Sequence, residues 1–339
     1  FAELLPIVGE GITGAPVIAR LSCPRGGRGP KVGVIPDGGP AMVLNPDGSS
    51  CLGSVRGKPI GMQADIPTGN PLRADLLTLP AVGHPAFGNV GGGTSLLAPT
   101  TGLLRALDLA VNEYQGGEDT ISAWDPGSGQ LRFGFPARQN DLSFLSGPSV
   151  GDVGGPPGEE VVAASAHLDL NAFGVGGLQL DGWPKLTSDW VVANPLLGSW
   201  GDPAAARVVI AATRAGDVFA YGTAAPACAP ASWPRFHHDN ANSGDLRRDA
   251  VSPGVPVDLR VAGEQLELRA PGDDLLCGRA ARYELRIDDG PWVGFSSVRP
   301  EAGGSAQTLP LPAARGRLGL RAVDEAGNRS RPAYVRLGR

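Results

Sequence analysis

Apolar residues in this chain come in short runs, and each run is followed by residues that turn the backbone. Lys31 to Ile35 is β-branched and extended in character, Pro36-Asp37-Gly38-Gly39 supplies turn chemistry, and Ala41 to Leu44 returns before Asn45-Pro46-Asp47-Gly48 turns again. The scheme recurs with Glu160 to Ser165, Leu168 to Phe173, the turn Gly174-Val175-Gly176-Gly177 and Leu178 to Leu180. It recurs once more with Arg207 to Thr213, Arg214-Ala215-Gly216-Asp217 and Val218 to Tyr221. Such runs predict strands joined as hairpins.

The hairpins belong to a unit that repeats four times. It opens at Gly14-Ala15-Pro16-Val17, Gly83-His84-Pro85-Ala86, Gly147-Pro148-Ser149-Val150 and Ala193-Asn194-Pro195-Leu196, and the later units close at Phe135-Pro136, Trp183-Pro184 and Trp233-Pro234. A small sheet has an apolar face and two open edges. Stacking such sheets around an axis covers the faces and leaves only short edges, so the repeat predicts an all-β chain beginning with a β-propeller or part of one. The second unit departs from the pattern. Leu103, Leu107, Val111 and Tyr114 fall at helical spacing, which predicts a helix near 100–115.

Beyond residue 252 the pattern becomes strict alternation, in Val257 to Val261, Gln265 to Leu268, Tyr283 to Ile287 and Leu318 to Val323. Seven short strands of an Ig-like sandwich fit the remaining length. The expected organisation is a repeat domain over 1–234, a linker or latch over 235–252 and a sandwich over 253–339.

Gly (51) and Pro (32) together approach a quarter of the 339 residues, yet 42% hydrophobic content supplies a core, which turn-rich β-structure reconciles. A net charge of −5 gives no long-range attraction for nucleic acid or an anionic membrane, and no Lys/Arg cluster in the sequence resembles a phosphate-binding face. The longest apolar stretches, such as Val208-Val209-Ile210-Ala211-Ala212, fall far short of the roughly 20 residues of a spanning helix. The chain begins at Phe1 with no signal-like segment, which predicts that a leader or longer N-terminal region has been removed.

Four cysteines allow three pairings, and local context favours Cys23 with Cys51 and Cys228 with Cys277. Free buried thiols are the alternative; a zinc site is disfavoured because no CxxC spacing occurs. Oxidised pairs predict an extracellular or cell-surface location.

The stretch Pro148-Ser149-Val150-Gly151-Asp152-Val153-Gly154-Gly155-Pro156-Pro157-Gly158-Glu159-Glu160-Val161-Val162, ending at Gly182-Trp183-Pro184, resembles the blades of bacterial secreted FG-GAP/VCBS-type propeller proteins. The resemblance implies a calcium loop, because alternate carboxylates there supply oxygen ligands. Gly154 and Pro156 occupy expected carboxylate positions, which leaves Asp152 and Glu160 as a weak candidate pair. The segment Trp233-Pro234-Arg235-Phe236-His237-His238-Asp239-Asn240 is similar to the signature that ends such propellers, and implies a structural latch carried by Trp233, His237, His238 and Asp239. On an extended segment the two imidazoles would point to opposite sides. Ala270-Pro271-Gly272-Asp273-Asp274 and Arg321 to Asn328 give the tail the look of a fibronectin type III module.

Two strings carry catalytic-looking chemistry. Gly147-Pro148-Ser149-Val150-Gly151 matches G-x-S-x-G, but no helix can start through the Gly/Pro-rich residues that follow, so Ser149 is not expected to be a nucleophile. His167, Asp169 and Asn171 would share one face of an alternating strand, too few ligands for a closed metal site. The expected function is therefore a non-catalytic extracellular binding, adhesion or assembly module, with no cofactor and a protein or surface glycan as partner. The alternative is the accessory C-terminal part of a secreted hydrolase such as a subtilisin-like peptidase, associated with an N-terminal portion of the same precursor.

Overall fold

The chain is seen in a computed structural model that describes residues 11–12, 14–36, 40–62, 78–80, 83–102, 119–199, 205–295 and 297–338. The described residues are all-β, with antiparallel pairing throughout the named strands and one 3-10 turn at Val175–Gly177. Most of the region expected to be helical, 103–115, lies outside the described residues; residues 100–102 end a strand.

Two compact units emerge: Phe1–Trp200 with Ala206–Arg248, and Gly201–Ala205 with Asp249–Arg339. The segment 235–248 thus belongs with the first unit.

In the first unit, β1 (Val17–Cys23), β2 (Gly27–Val34) and β3 (Met42–Leu44) form one sheet, followed by the small pair β4 (Ser54–Val55) and β5 (Lys58–Pro59). The second sheet contains β6 (Thr78–Pro80), β7 (Ala86–Val90), β8 (Gly93–Gly102), β9 (Asp119–Trp124) and β10 (Ala137–Arg138). β8 pairs with β7 near its start and with β6 at its end. The third is β11 (Ser149–Gly151), β12 (Glu160–Ser165), β13 (Asp169–Phe173) and β14 (Lys185–Leu186); the fourth is β15 (Leu196–Ser199), β16 (Ala206–Ala212) and β17 (Val218–Pro226). Gln179, in the stretch read as a third returning strand, makes only an isolated bridge to Phe173.

The leading strands are neighbours: β1 lies beside β7, β7 beside β11, and β11 beside β15. Close approach between sheets requires missing side chains. A Cβ at Gly88 on β7 would fall 2.6 Å from Val150 on β11, and one at Gly151 would fall 2.8 Å from Leu197 on β15. Every residue of β12 and β13 is buried, because Val161, Ala163 and Phe173 face one core and Val162, Ala164, Leu170 and Ala172 face another. Each such buried Val or Leu contributes about 1.5–3 kcal/mol.

The second unit has seven strands among the described residues. β18 (Val257–Ala262), β19 (Gln265–Arg269) and β22 (Ala306–Pro310) form one sheet; β20 (Arg282–Ile287), β21 (Val293–Phe295), β23 (Gly316–Val323) and β24 (Ala333–Leu337) form the other. Leu266, Leu268 and Leu309 from the first sheet meet Tyr283, Leu318, Leu320 and Leu337 from the second in a single core.

Cys23 and Cys51 are bridged, with Cα atoms 5.3 Å apart. Cys228 and Cys277 are also disulfide-bonded, and no cysteine is free. Two disulfides mark a protein of an oxidising, non-cytoplasmic compartment. No helix among the described residues is long and apolar enough to cross a membrane.

Candidate binding mouth of the first unit

The repeated openers are stitched to one another where the leading strands begin. Proline is tolerated there because a strand's first residue owes no ladder hydrogen bond. The Ala15 amide donates to His84 Nδ1 at 3.3 Å, the His84 amide to the Ser146 carbonyl at 3.1 Å, and the Gly147 amide to Asn194 Oδ1 at 2.8 Å. Ser149 is buried and donates its hydroxyl to the Pro195 carbonyl at 2.5 Å, so it serves as another tie between openers.

Across these strands runs the segment 230–246. Trp233 and Val150 exchange both backbone hydrogen bonds (2.8 and 3.0 Å), Leu197 donates to the Pro234 carbonyl at 2.7 Å, and Ile18 is bonded on both sides, to Gly244 at 2.6 Å and from Leu246 at 2.9 Å. Trp233-Pro234 therefore differs from the other aromatic-Pro pairs: it lies on the leading strand of the third sheet instead of closing the fourth. Phe135-Pro136 and Trp183-Pro184 are cis, whereas Trp233-Pro234 is not.

The two histidines are separated, but not by the alternation of an extended strand. Both have positive φ (52° and 71°), so the backbone turns left-handed at His237-His238. His237 stacks on Phe236 with ring centres 3.9 Å apart, while His238 packs at 5.2 Å on Trp233. Asp239 is buried and accepts from the Ala241 amide at 2.8 Å, the Ser243 amide at 3.2 Å and the Ser243 hydroxyl. Burial opposes its charge, but the Ser243 and Ala241 hydrogen bonds outweigh that and hold its carboxyl below the ordinary value.

Between openers and latch lies a cavity of about 360 Å³. Leu145, Val192 and Phe236 supply apolar wall; His84, Asn194 and Arg235 bring polar groups. The His84 ring meets Phe236 edge-on at 4.8 Å and His237 at 6.4 Å. Burial, then the nearby His237, pushes the His84 pKa down; burial also lowers that of His237, against an opposing pull from the Asn242 backbone and Asp239. Because His84 Nδ1 accepts the Ala15 amide, the neutral ring carries its proton on Nε2. Asn194 Nδ2 and His237 Nε2 are buried without hydrogen-bond partners. The mouth thus sets the His84 Nε2–H and the unpartnered Asn194 Nδ2 beside an apolar wall, which suits a ligand carrying carbonyl or carboxylate oxygens next to an apolar group.

A larger depression, about 460 Å³, lies between Gly91-Gly92-Gly93 and Pro157-Gly158-Glu159, but its carboxylate is engaged: the Ser232 hydroxyl donates to Glu159 at 2.5 Å.

The calcium loop implied by the sequence does not fit a cation. Asp152 turns its carboxylate to the Gly154 amide (2.8 Å), and buried Glu160 accepts from the Val153 amide (2.7 Å). Burial raises the Glu160 pKa. A buried guanidinium already takes the carbonyls: Arg207 donates to those of Asp152 at 2.9 Å, Pro230 at 2.8 Å and Ala229. An oxygen-seeking ion needs groups that are here bonded to N–H donors. Among the described residues no three His, Cys, Asp or Glu side chains are grouped to hold a metal.

His167 is exposed in a turn, because the strand starts at Asp169 and Leu168 has φ 60°. Asp169 and Asn171 do meet, at 2.9 Å, with Asp169 also accepting from the Ser165 hydroxyl and from Asn140. His84, Asn194 and Phe236 were not singled out by the sequence. For His84 and Asn194 the signal was the opener motif, whose middle positions look like mere strand entries until the openers are seen side by side; for Phe236 it was the string that begins at Trp233.

No family model matches the chain, and no curated protein matches it. Among solved structures, one similar chain is that of a crystal structure of BBS1N in complex with ARL6DN, soaked with lead. The identity is 12%, the TM-score 0.30, and the match covers 95% of this chain and 79% of that one. A likeness of that size carries no argument about this chain.

Proposed function

We propose that the chain is a non-catalytic extracellular binding module, its first unit a four-bladed β-propeller and its second a fibronectin type III-like sandwich. Support for the propeller comes from the succession of adjacent leading strands and from the segment 230–246, which ties β15, β11 and β1 together. The mouth at the openers receives an extended segment of a partner protein, main-chain oxygens toward His84 and Asn194 and an apolar side chain against Leu145 and Phe236. The observation that carries this reading is the pairing of that apolar wall with the buried Asn194 Nδ2, which lacks an acceptor, while Asp239, the carboxylate of the latch, is consumed by Ser243 and Ala241.

A random peptide library selected on the full chain tests it. Clones should lose binding to a Phe236→Ala/Asn194→Ala variant that keeps the parent's circular dichroism. If every selected clone binds both proteins equally, the mouth is not the site. If the parent cleaves the selected peptides, the non-catalytic reading falls.

A further inference from the structure

The second unit carries a basic face that no stretch of the sequence announces. In the sheet of β20, β21, β23 and β24, Tyr283, Leu318, Leu320 and Leu337 point into the core. Alternation therefore puts Glu284 and Arg286, Arg317 and Arg321, and Tyr334 and Arg336 on the opposite, outer face. Aromatic rings hold the guanidiniums in place. Arg286 lies 4.8 Å from the Trp292 ring and 5.6 Å from that of Tyr334; Arg317 sits 3.8 Å over Tyr334, and Arg321 4.1 Å over Trp292. Gly319 is the floor of this stack, since a Cβ there would fall 2.9 Å from the Tyr334 ring.

The carboxylates on this face are committed elsewhere. Glu284 accepts two bonds from Arg321, at 2.6 and 2.8 Å, with Arg282 at 3.5 Å and Arg329 at 3.6 Å around it. Asp288, at the end of β20, accepts the backbone amide of Arg317 at 2.8 Å. Arg286, Arg317 and Arg336 are left without an ion-pair partner among the described residues. Arg317 and Arg336 are exposed and directly opposite each other across β23 and β24, an arrangement in which like charges repel. Arg286 gives one N–H to the Tyr334 hydroxyl at 2.6 Å, while its Nε is buried with no acceptor.

We propose that this face binds an acidic polysaccharide, whose sulfate or carboxylate groups dock on Arg286, Arg317 and Arg336 around Tyr334. The three guanidiniums come from three successive strands, spaced about 4.8 Å apart, and make a narrow stripe. A single strand of spaced charges matches that stripe better than the two phosphate rails of a duplex. The rings that could enter a bilayer are covered by guanidiniums, and the disulfides point to an oxidising compartment, away from cytosolic nucleic acids. The site is distinct from the mouth of the first unit and does not depend on that reading.

The test titrates the full chain with dextran sulfate and with polygalacturonate, by calorimetry and by thermal melting. The parent should bind one or both, more weakly as salt rises, and melt at higher temperature with the polymer present. Arg317→Glu/Arg336→Glu should weaken binding about tenfold or more, whereas Arg269→Gln, on the other sheet, leaves it unchanged. Arg336→Glu alone should raise the melting temperature of the free protein, by placing opposite charges across the strands, and reduce the rise caused by polymer. The proposal is overturned if the double variant binds like the parent, if Arg269→Gln costs as much, or if duplex DNA or phosphatidylglycerol vesicles bind as tightly as both polysaccharides.

Discussion

The two units bury their strands differently. In the first, β12 and β13 are covered on both faces: Val161 and Phe173 serve one core, Val162 and Leu170 the next. In the second, β22 alternates, with Gln307 and Leu309 buried and Ala306, Thr308 and Pro310 exposed, because two sheets share one core and turn their other faces to water. A strand sandwiched between sheets must be apolar, small or, as at Glu160, Asp169 and Asn171, hydrogen-bonded at every position. A strand of a two-layer sandwich leaves half its residues free for other work, and the stacked guanidiniums of the second unit occupy that freedom.

The contrast is broken most directly by cutting side chains on both faces of one strand. Phe173→Ala should cost about 3–5 kcal/mol and Leu170→Ala about 2–5 kcal/mol although they face opposite ways. On β22, Leu309→Ala should cost about 2–5 kcal/mol and its exposed neighbour Thr308→Ala within about 0.5 kcal/mol. Denaturant unfolding reads all four, and a cheap Leu170→Ala defeats the two-core account.

Replacing Cys23 and Cys51 together by Ala opens a loop of 28 residues, and chain entropy assigns that bridge about 3–4 kcal/mol. The loss should fall on the first unit's unfolding transition, leaving hydrogen exchange of the Tyr283 and Leu320 amides unchanged. A smaller effect attaches to sheet spacing. Gly88→Ala drives a Cβ to within 2.6 Å of Val150 and should destabilise by about 1–3 kcal/mol, whereas Gly294→Ala on β21 meets open space and should cost less in a parallel melt.

The smallest and most discriminating test is pH. His84 and His237 have pKa values lowered from 6.5, foremost by burial, so these two rings bind protons less readily in the folded first unit than in its unfolded chain. The contribution of the two histidines is present above pH 6.5 and is lost as pH falls through the lowered values. Asp273 and Asp274 run the other way. Burial, followed by the charges of Glu325, Asp324 and Asp249, raises both from 3.8 to about 6. Their stabilisation is full below 3.8 and is lost as pH rises through about 6. Between those limits, hydrogen exchange of the Ile18 and Leu246 amides should slow as pH rises, once corrected for intrinsic rates, while that of the Asp273 amide quickens. Parallel trends would refute the opposed linkage.

Much of the secondary structure was legible. Glu160 to Ser165 is a strand over the residues expected, and Gly174 to Gly177 turns as its glycines require. Trp233 was harder, because its string matches the closing pairs of earlier sheets while its hydrogen bonds go to Val150, 83 residues away by sequence number. The His237-His238 turn was missed for a related reason: two non-glycine residues at positive φ leave no compositional mark, and Asp239 holds that turn through Ser243, four residues on. Asp152 and Glu160 looked like ligands in the sequence because nothing local reveals Arg207 on the Asp152 carbonyl or the Val153 amide on Glu160.

The all-β character, the serial hairpins and the strict alternation of the tail can be read from the residues alone, since these rest on side-chain period and turn chemistry within a few positions. Which distant groups meet came from packing: His84 with Phe236, Arg207 with Asp152, and Arg286, Arg317 and Arg336 around Tyr334. Each of those encounters joins residues from separate strands or loops. Their distance depends on register and sheet packing, quantities fixed by the whole core and not by any neighbour in the chain.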